Sequence, residues 1–159
     1  LANLKEKLLE TETNDLQIGD ASGDGKVSNK PKKEIRIWLD GVFDMMHYGH
    51  MNAFRQARSL GTYLIAGVCS DEDTTRAKGS PVCSEQERAD SARGCKWVDE
   101  VVTDVPYDIP DGYYASIIEK YKIDYIVHGD DPCIVNGKNV YESAIQLGKF
   151  LTIPRTEGI

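Results

Sequence analysis

No stretch of this sequence stays apolar over the roughly 18 residues that a membrane-spanning helix needs, so no span is expected. Excess positive charge is missing too: 19 Lys and Arg stand against 26 Asp and Glu, a formal charge of -7. A general nucleic-acid binder needs a basic surface to displace counterions from phosphate, so nucleic acid is not an expected partner. Cysteine is sparse, and Cys69, Cys83, Cys95 and Cys133 contain no Cys-x-x-Cys pair. Their spacing fits neither a zinc motif nor a disulfide framework, which leaves free thiols in a reducing compartment as the expectation. No signal-peptide pattern opens the chain, and its first residue is Leu1, which points to a piece of a longer protein. Histidine is scarce, with three residues in 159, so the placement of each is informative.

What remains is ordinary in bulk: 40% hydrophobic and 28% charged residues, near globular averages, in a length that suits one domain. Its organisation is uneven. Leu1, Leu4, Leu8 and Leu9 fit one side of a short helix ending near Glu12, and from Thr13 to Lys33 the chain is mostly Gly, Asp, Asn, Ser and Lys. That composition predicts a flexible polar extension over residues 1–33. Six basic and six acidic residues cancel within it, so the whole charge of -7 belongs to residues 34–159. Asp20 to Val27 matches the opening of a calcium-binding loop, but the last ligand position holds Pro31, where a bidentate Glu is required. A linker is the expectation there.

From Glu34 onward strands and helices alternate. Apolar runs predict strands at Glu34–Leu39, Thr62–Cys69, Trp97–Val102, Ile123–His128 and Phe150–Ile153. Met51, Phe54, Ala57 and Leu60 recur at helical spacing within Tyr48–Leu60. Ser84 with Glu87 reads as a capping box opening a second helix, and further helices are predicted at Asp111–Lys122 and Val140–Leu147. The alternation implies an α/β domain over residues 34–159, a Rossmann-like three-layer αβα fold around a five-stranded parallel sheet.

In open parallel sheets, ligands bind beyond the carboxyl ends of the strands, where strand order reverses. The strand ends here read Asp40-Gly41-Val42-Phe43-Asp44, Ser70-Asp71, Asp104, His128-Gly129-Asp130-Asp131 and Arg155-Thr156-Glu157-Gly158. Every histidine falls in this set or within one helical turn of it. His47-Tyr48-Gly49-His50 is the sharpest signal. Two histidines three apart share a face of the first helical turn, where unpaired backbone N–H groups and the helix dipole favour an anion. Gly49 removes a side chain that would block a phosphate, and two imidazoles can donate to phosphate oxygens as charge builds up. Metal pairs on helices sit four apart and need a third ligand, so phosphate is favoured and no protein metal site is expected.

Asp-Gly-x-Phe-Asp-x-x-His-x-Gly-His near the first strand, with Arg-Thr-Glu-Gly-Ile after the last, resembles the cytidylyltransferase family. The resemblance runs from Arg36 to Ile159. Within the family, His47 to His50, Lys96 to Val101 and His128 to Asp131 are most similar to the members that use phosphoethanolamine, in the amino-terminal copy of a tandem pair. The resemblance implies transfer of CMP from CTP to phosphoethanolamine, giving CDP-ethanolamine and pyrophosphate for phosphatidylethanolamine synthesis, in the cytoplasm or peripheral to the endoplasmic reticulum. It implies that His47 and His50 stabilise the transition state at the α-phosphate, with Lys78 bridging the phosphates of the two substrates. Arg155 and Thr156 would hold the triphosphate; Val42, Phe43, His128, Gly129 and Asp130 would approach the nucleotide, with Pro154 and Ile159 beside base and ribose. Mg²⁺ held mainly by the CTP phosphates is the implied cofactor. A homodimer and a tandem second domain are the implied protein partners.

The acceptor can be read from its amine. A quaternary ammonium has no N–H and is best held by an aromatic cage. Phosphocholine-using members build that cage from a Trp and two Tyr, and the matching positions here are Tyr107, Cys133 and Tyr141. The cage is incomplete, whereas a primary ammonium wants acceptors such as Asp40 and the Tyr107 hydroxyl. Phosphoethanolamine is therefore expected, at Asp40, Lys78, Tyr107 and Tyr141, with phosphocholine or a catalytically weak nucleotide-binding domain as alternatives. The mechanism implied is direct in-line displacement: a phosphate oxygen is already a nucleophile, so no general base or covalent intermediate is required. The family motif continues with Ser-Thr beyond the Ile, and the sequence stops at Ile159, so reduced activity is expected of this piece.

Overall fold

Apolar runs punctuated by Gly and Ser become strands packed on both faces. The computed structural model describes residues 33–135 and 137–159. Apart from Lys33, the extension predicted over residues 1–33, with its short helix and calcium-loop-like stretch, lies outside the described residues. Five strands, β1 (Arg36–Gly41), β2 (Tyr63–Cys69), β3 (Glu100–Val105), β4 (Tyr125–Gly129) and β7 (Phe150–Ile153), pair in parallel in the order β3-β2-β1-β4-β7. A small antiparallel hairpin, β5 (Ile134–Val135) with β6 (Lys138–Asn139), stands between β4 and β7 in the chain. The helices are α1 (Tyr48–Arg58), α2 (Asp71–Lys78), α3 (Glu85–Arg93), α4 (Tyr113–Tyr121) and α5 (Glu142–Gln146).

The period of two in the strands sorts the core into two layers. Ile37, Leu39, Leu64, Ala66 and Val68 join Phe54 and Ala57 of α1 and Ala89 and Ala92 of α3. Trp38, Ile65 and Ile126 join Tyr114 and Ile117 of α4 and Ala144 of α5. Gly67 is where the second layer needs a glycine: a Cβ there would lie 2.5 Å from Cζ2 of the fully buried Trp38. The three-layer αβα architecture read from the sequence is the architecture observed. Successive strands step outward from β1 on either side, so the order reverses between β1 and β4. Their carboxyl ends splay there into a crevice. Among the described residues, no helix is long and apolar enough to cross a membrane.

Three local expectations change. The third strand is Glu100–Val105 rather than Trp97–Val102, because a turn closed by the Val98 N–H on the Cys95 carbonyl uses up the residues before it. Asp104 accordingly lies within β3, at φ 58°, rather than after it, as Asp40 and Gly41 lie within β1 rather than after the strand expected at Glu34–Leu39. Helix α2 was invisible to periodicity because it is polar almost throughout; Ser70 caps it, accepting the Asp73 N–H at 3.1 Å. Lys78 is the last residue of this helix, and Gly79 stops it at φ 102°. Met51, placed on the apolar face of α1 by its spacing, is 44% exposed.

Candidate active site

The amino terminus of α1 is held by its own histidines. His47 is the N-cap, with Nδ1 accepting the Gly49 N–H at 3.1 Å, while the His47 N–H donates to Nδ1 of His50 at 3.4 Å. The two rings stack at 4.0 Å between centroids. With both Nδ1 atoms accepting, each neutral imidazole carries its hydrogen on Nε2 and can donate only through that atom. Burial, reinforced by neighbouring His47 and Lys78, depresses the His50 pKa to about 4, so the ring is neutral near pH 7. Gly49 is also required by its own neighbours. A Cβ there would lie 2.9 Å from His47 Cε1 and 3.1 Å from Ile159 Cγ2, so the glycine makes room for the capping ring and for Ile159.

Two cavities meet at this helix end. The larger, of about 600 Å³, is lined by Asp40, Val42, Phe43, Lys78, Tyr107, Cys133 and Tyr141 among others. The smaller, of about 290 Å³, is lined by Gly49, Gly129, Asp131, Pro154, Arg155, Thr156 and Ile159. His47, His50 and His128 line both, so the three histidines form the partition between them. Of the residues given a catalytic or substrate-binding role from sequence, only Asp130 lines neither. Its carboxylate accepts the Arg155 N–H at 3.2 Å, and its N–H donates to Ile153, which ties the ends of β4 and β7 together.

The larger cavity is built around a buried carboxylate. Asp40, 6% exposed, accepts from Trp38 Nε1 at 3.0 Å, the Tyr114 hydroxyl at 3.1 Å and the Tyr141 hydroxyl at 2.9 Å. All three donors are neutral, and none of the ion pairs found among the described residues includes Asp40. Burial and the Asp40 charge push the Tyr141 pKa well above its ordinary value, so its hydroxyl stays protonated and donating. Lys78 lines the same cavity, its Nζ 5.7 Å from the centre of the Tyr107 ring.

Arg88, Asn52 and Gln56, which sequence reasoning missed, and Asp44, to which it gave no role of its own, hold this arrangement. Arg88, 1% exposed, donates to the carbonyls of Val42, Cys69 and Cys83 and to the Asp71 carboxylate, at 2.7–3.1 Å. It thereby joins the ends of β1 and β2 to the start of the Lys78 helix. The clue was a charged residue beside Ala89 and Ala92 on the buried face of α3. Asp44 accepts the N–H groups of Val82 and Cys83 at 2.7 and 2.9 Å, and those bonds hold its pKa below the usual carboxylate value. On α1, Asn52 donates to the Thr156 hydroxyl at 2.9 Å and Gln56 to the Pro154 carbonyl at 3.1 Å, which fixes the last strand end beside the histidines. Arg155 is paired with Asp131 at the rim of the smaller cavity.

Residues 38–156 match the family model described as cytidylyltransferase-like. The chain belongs to that family. An ethanolamine-phosphate cytidylyltransferase from Arabidopsis thaliana is 47% identical over 131 residues, covering 82% of this chain and 31% of the relative. One from Dictyostelium discoideum is 48% identical over 129 residues, covering 80% and 35%. A choline-phosphate cytidylyltransferase from Arabidopsis thaliana is 41% identical over 144 residues, covering 87% and 45%. The chain spans about a third of the length of the first two relatives. Among solved structures, a lipopolysaccharide core biosynthesis protein from Thermoplasma volcanium has a TM-score of 0.63 at 23% identity, covering 79% of this chain and all of that one, and shares the fold. The cytidylyltransferase resemblance read from the two end motifs is therefore the family the chain belongs to.

Proposed function

We propose that this domain transfers CMP from CTP to phosphoethanolamine, giving CDP-ethanolamine and pyrophosphate. The observation that carries the proposal is the pair of cavities meeting at one histidine wall, the larger containing a buried carboxylate with only neutral partners. A carboxylate so placed is best matched by a cation with N–H groups to share, such as a primary ammonium. The names of the ethanolamine-phosphate relatives support the same acceptor, and Cys133 in the cavity wall, where a choline cage wants an aromatic ring, favours it over phosphocholine.

In this scheme CTP lies in the smaller cavity, with Arg155 leaving Asp131 for the triphosphate and Thr156, Pro154 and Ile159 beside the nucleotide. The acceptor phosphate lies against Lys78 in the larger. Attack on the α-phosphate then takes place at the partition. His47 and His50, each with Nε2–H available, donate to the oxygens that gain charge at the pentavalent centre. Positioning and electrostatics suffice, since the attacking oxygen is already anionic.

Among the described residues, no group of three or more His, Cys, Asp or Glu side chains is arranged to hold a metal. Mg²⁺ carried on the CTP phosphates would neutralise charge on the leaving pyrophosphate. A cytoplasmic location, a homodimer and a tandem second domain in a longer parent belong to the same proposal.

Pyrophosphate release with CTP and Mg²⁺, run in parallel with phosphoethanolamine, phosphocholine and glycerol 3-phosphate, tests it. Preference for phosphoethanolamine is the expected outcome. Preference for phosphocholine would overturn the role given to Asp40 and Cys133, and no release with any acceptor would overturn the transfer itself.

A further inference from the structure

Thr74 stands one helical turn before Lys78 on α2, on the face that begins with Asp71, the residue clamped by Arg88. It is 1% exposed, and its Oγ1 is the only buried side-chain nitrogen or oxygen without a hydrogen-bond partner among the described residues. A helical threonine ordinarily escapes that cost by donating to a carbonyl three or four residues back. Here the Ser70 carbonyl takes the Thr74 N–H at 3.1 Å, and the hydroxyl makes no such bond. Valine would fill the same space and spare the fold an unsatisfied buried hydroxyl, which is destabilising. Packing alone therefore gives no reason for an oxygen at this position.

The position itself gives one, because Thr74 lines the larger cavity together with Lys78. Resting on the reading of that cavity as the acceptor site, we propose that the Thr74 hydroxyl donates a hydrogen bond to the acceptor's phosphate beside the Lys78 ammonium. A neutral donor adjoining a cation suits an anion, while the carboxylate of Asp40 with its tyrosines suits the amine. Threonine has two accessible χ1 wells in a helix, so its hydroxyl can turn to a phosphate without moving the backbone.

The test compares wild type, Thr74→Val and Thr74→Ser. In steady-state assays, Thr74→Val should raise KM for phosphoethanolamine about tenfold, the weight of a hydrogen bond to a charged acceptor, and leave KM for CTP unchanged. Its melting temperature should equal or exceed that of wild type, because the buried hydroxyl is gone. Thr74→Ser, which keeps the hydroxyl, should bind the acceptor like wild type. An unchanged acceptor KM in Thr74→Val, equal losses in both variants, or a change confined to CTP would overturn the contact. Calorimetric titration with phosphoethanolamine separates this from the function proposed above. Tighter binding by an inactive wild type than by Thr74→Val would keep the contact and overturn the transfer. Equal binding with an active wild type would overturn the contact alone.

Discussion

Two helices in this domain begin with the same device built from different residues. At α3, Ser84 accepts the Glu87 N–H while the Glu87 carboxylate takes the Ser84 N–H, and Glu85 and Glu87 place two negative charges in the first turn. At α1, His47 and His50 fill those positions, and the first turn carries no acid. Both boxes satisfy backbone donors that a helix start leaves unpaired. The acidic box also neutralises the positive end of its own helix, so nothing is left for a ligand. The histidine box leaves that end uncompensated and adds two Nε2–H donors, which is what an anion site requires.

Replacing the cap at each helix tests the contrast most strongly. His47→Ala and His50→Ala should each lower kcat by about 100- to 1,000-fold, the usual cost of a lost transition-state donor. Ser84→Ala should cost about 1 kcal/mol of stability and leave kcat within a factor of two, read by denaturant melts beside pyrophosphate assays. Equal effects on activity at the two helices would erase the distinction. A smaller effect is expected from Gly49→Ala. Alanine is the better helix former by about 1 kcal/mol. Its Cβ displaces the His47 ring, so kcat should fall on the order of tenfold with little loss of stability.

Adding an acid to α1 makes it resemble α3. Tyr48 is 66% exposed in the first turn, and Tyr48→Glu should stabilise the fold by about 0.3–1 kcal/mol while raising KM for CTP several-fold. Stability gained without loss of CTP affinity would show that the helix end does not face the nucleotide.

The weakest expected effect is the pH dependence of the two boxes. The His50 pKa falls from 6.5 to about 4 on folding, so between those values the unfolded chain binds more protons. Its contribution to stability is intact above pH 6.5 and is lost as pH falls toward 4. Glu87, held below its ordinary 4.5 by the bonds to Ser84, loses its contribution only below that value. The stability difference between wild type and His50→Gln should therefore begin to change at higher pH than that between wild type and Glu87→Gln. Changes that set in at the same pH would remove the electrostatic half of the contrast.

Much of this was legible in one dimension. The buried run at β2, the Ser84–Glu87 box and the His47–His50 pair are local signals, each set by residues within a few positions of one another. Helix α2 was not legible, since it has a single buried residue, Thr74, and buries too little for any apolar period to show. The position of Met51 was misread for the complementary reason: spacing says which residues share a helix face, and only the neighbouring elements say how wide the covered part of that face is.

By itself the sequence determined the alternation of strands and helices, the motif at the start of α1 and membership of the cytidylyltransferase-like family, because these depend on residue type and short spacing. Only the tertiary structure decided that Asp40 is buried beneath Tyr114 and Tyr141, which lie 74 and 101 residues further along the chain. Only it decided that Arg88 joins three chain segments and that the candidate residues divide between two cavities sharing a wall of histidines. The physical reason is the strand order. Placing β4 beside β1 brings distant strand ends into one crevice, and the carboxylate, hydroxyls and guanidinium there are bonded by proximity in space, which no spacing along the chain encodes.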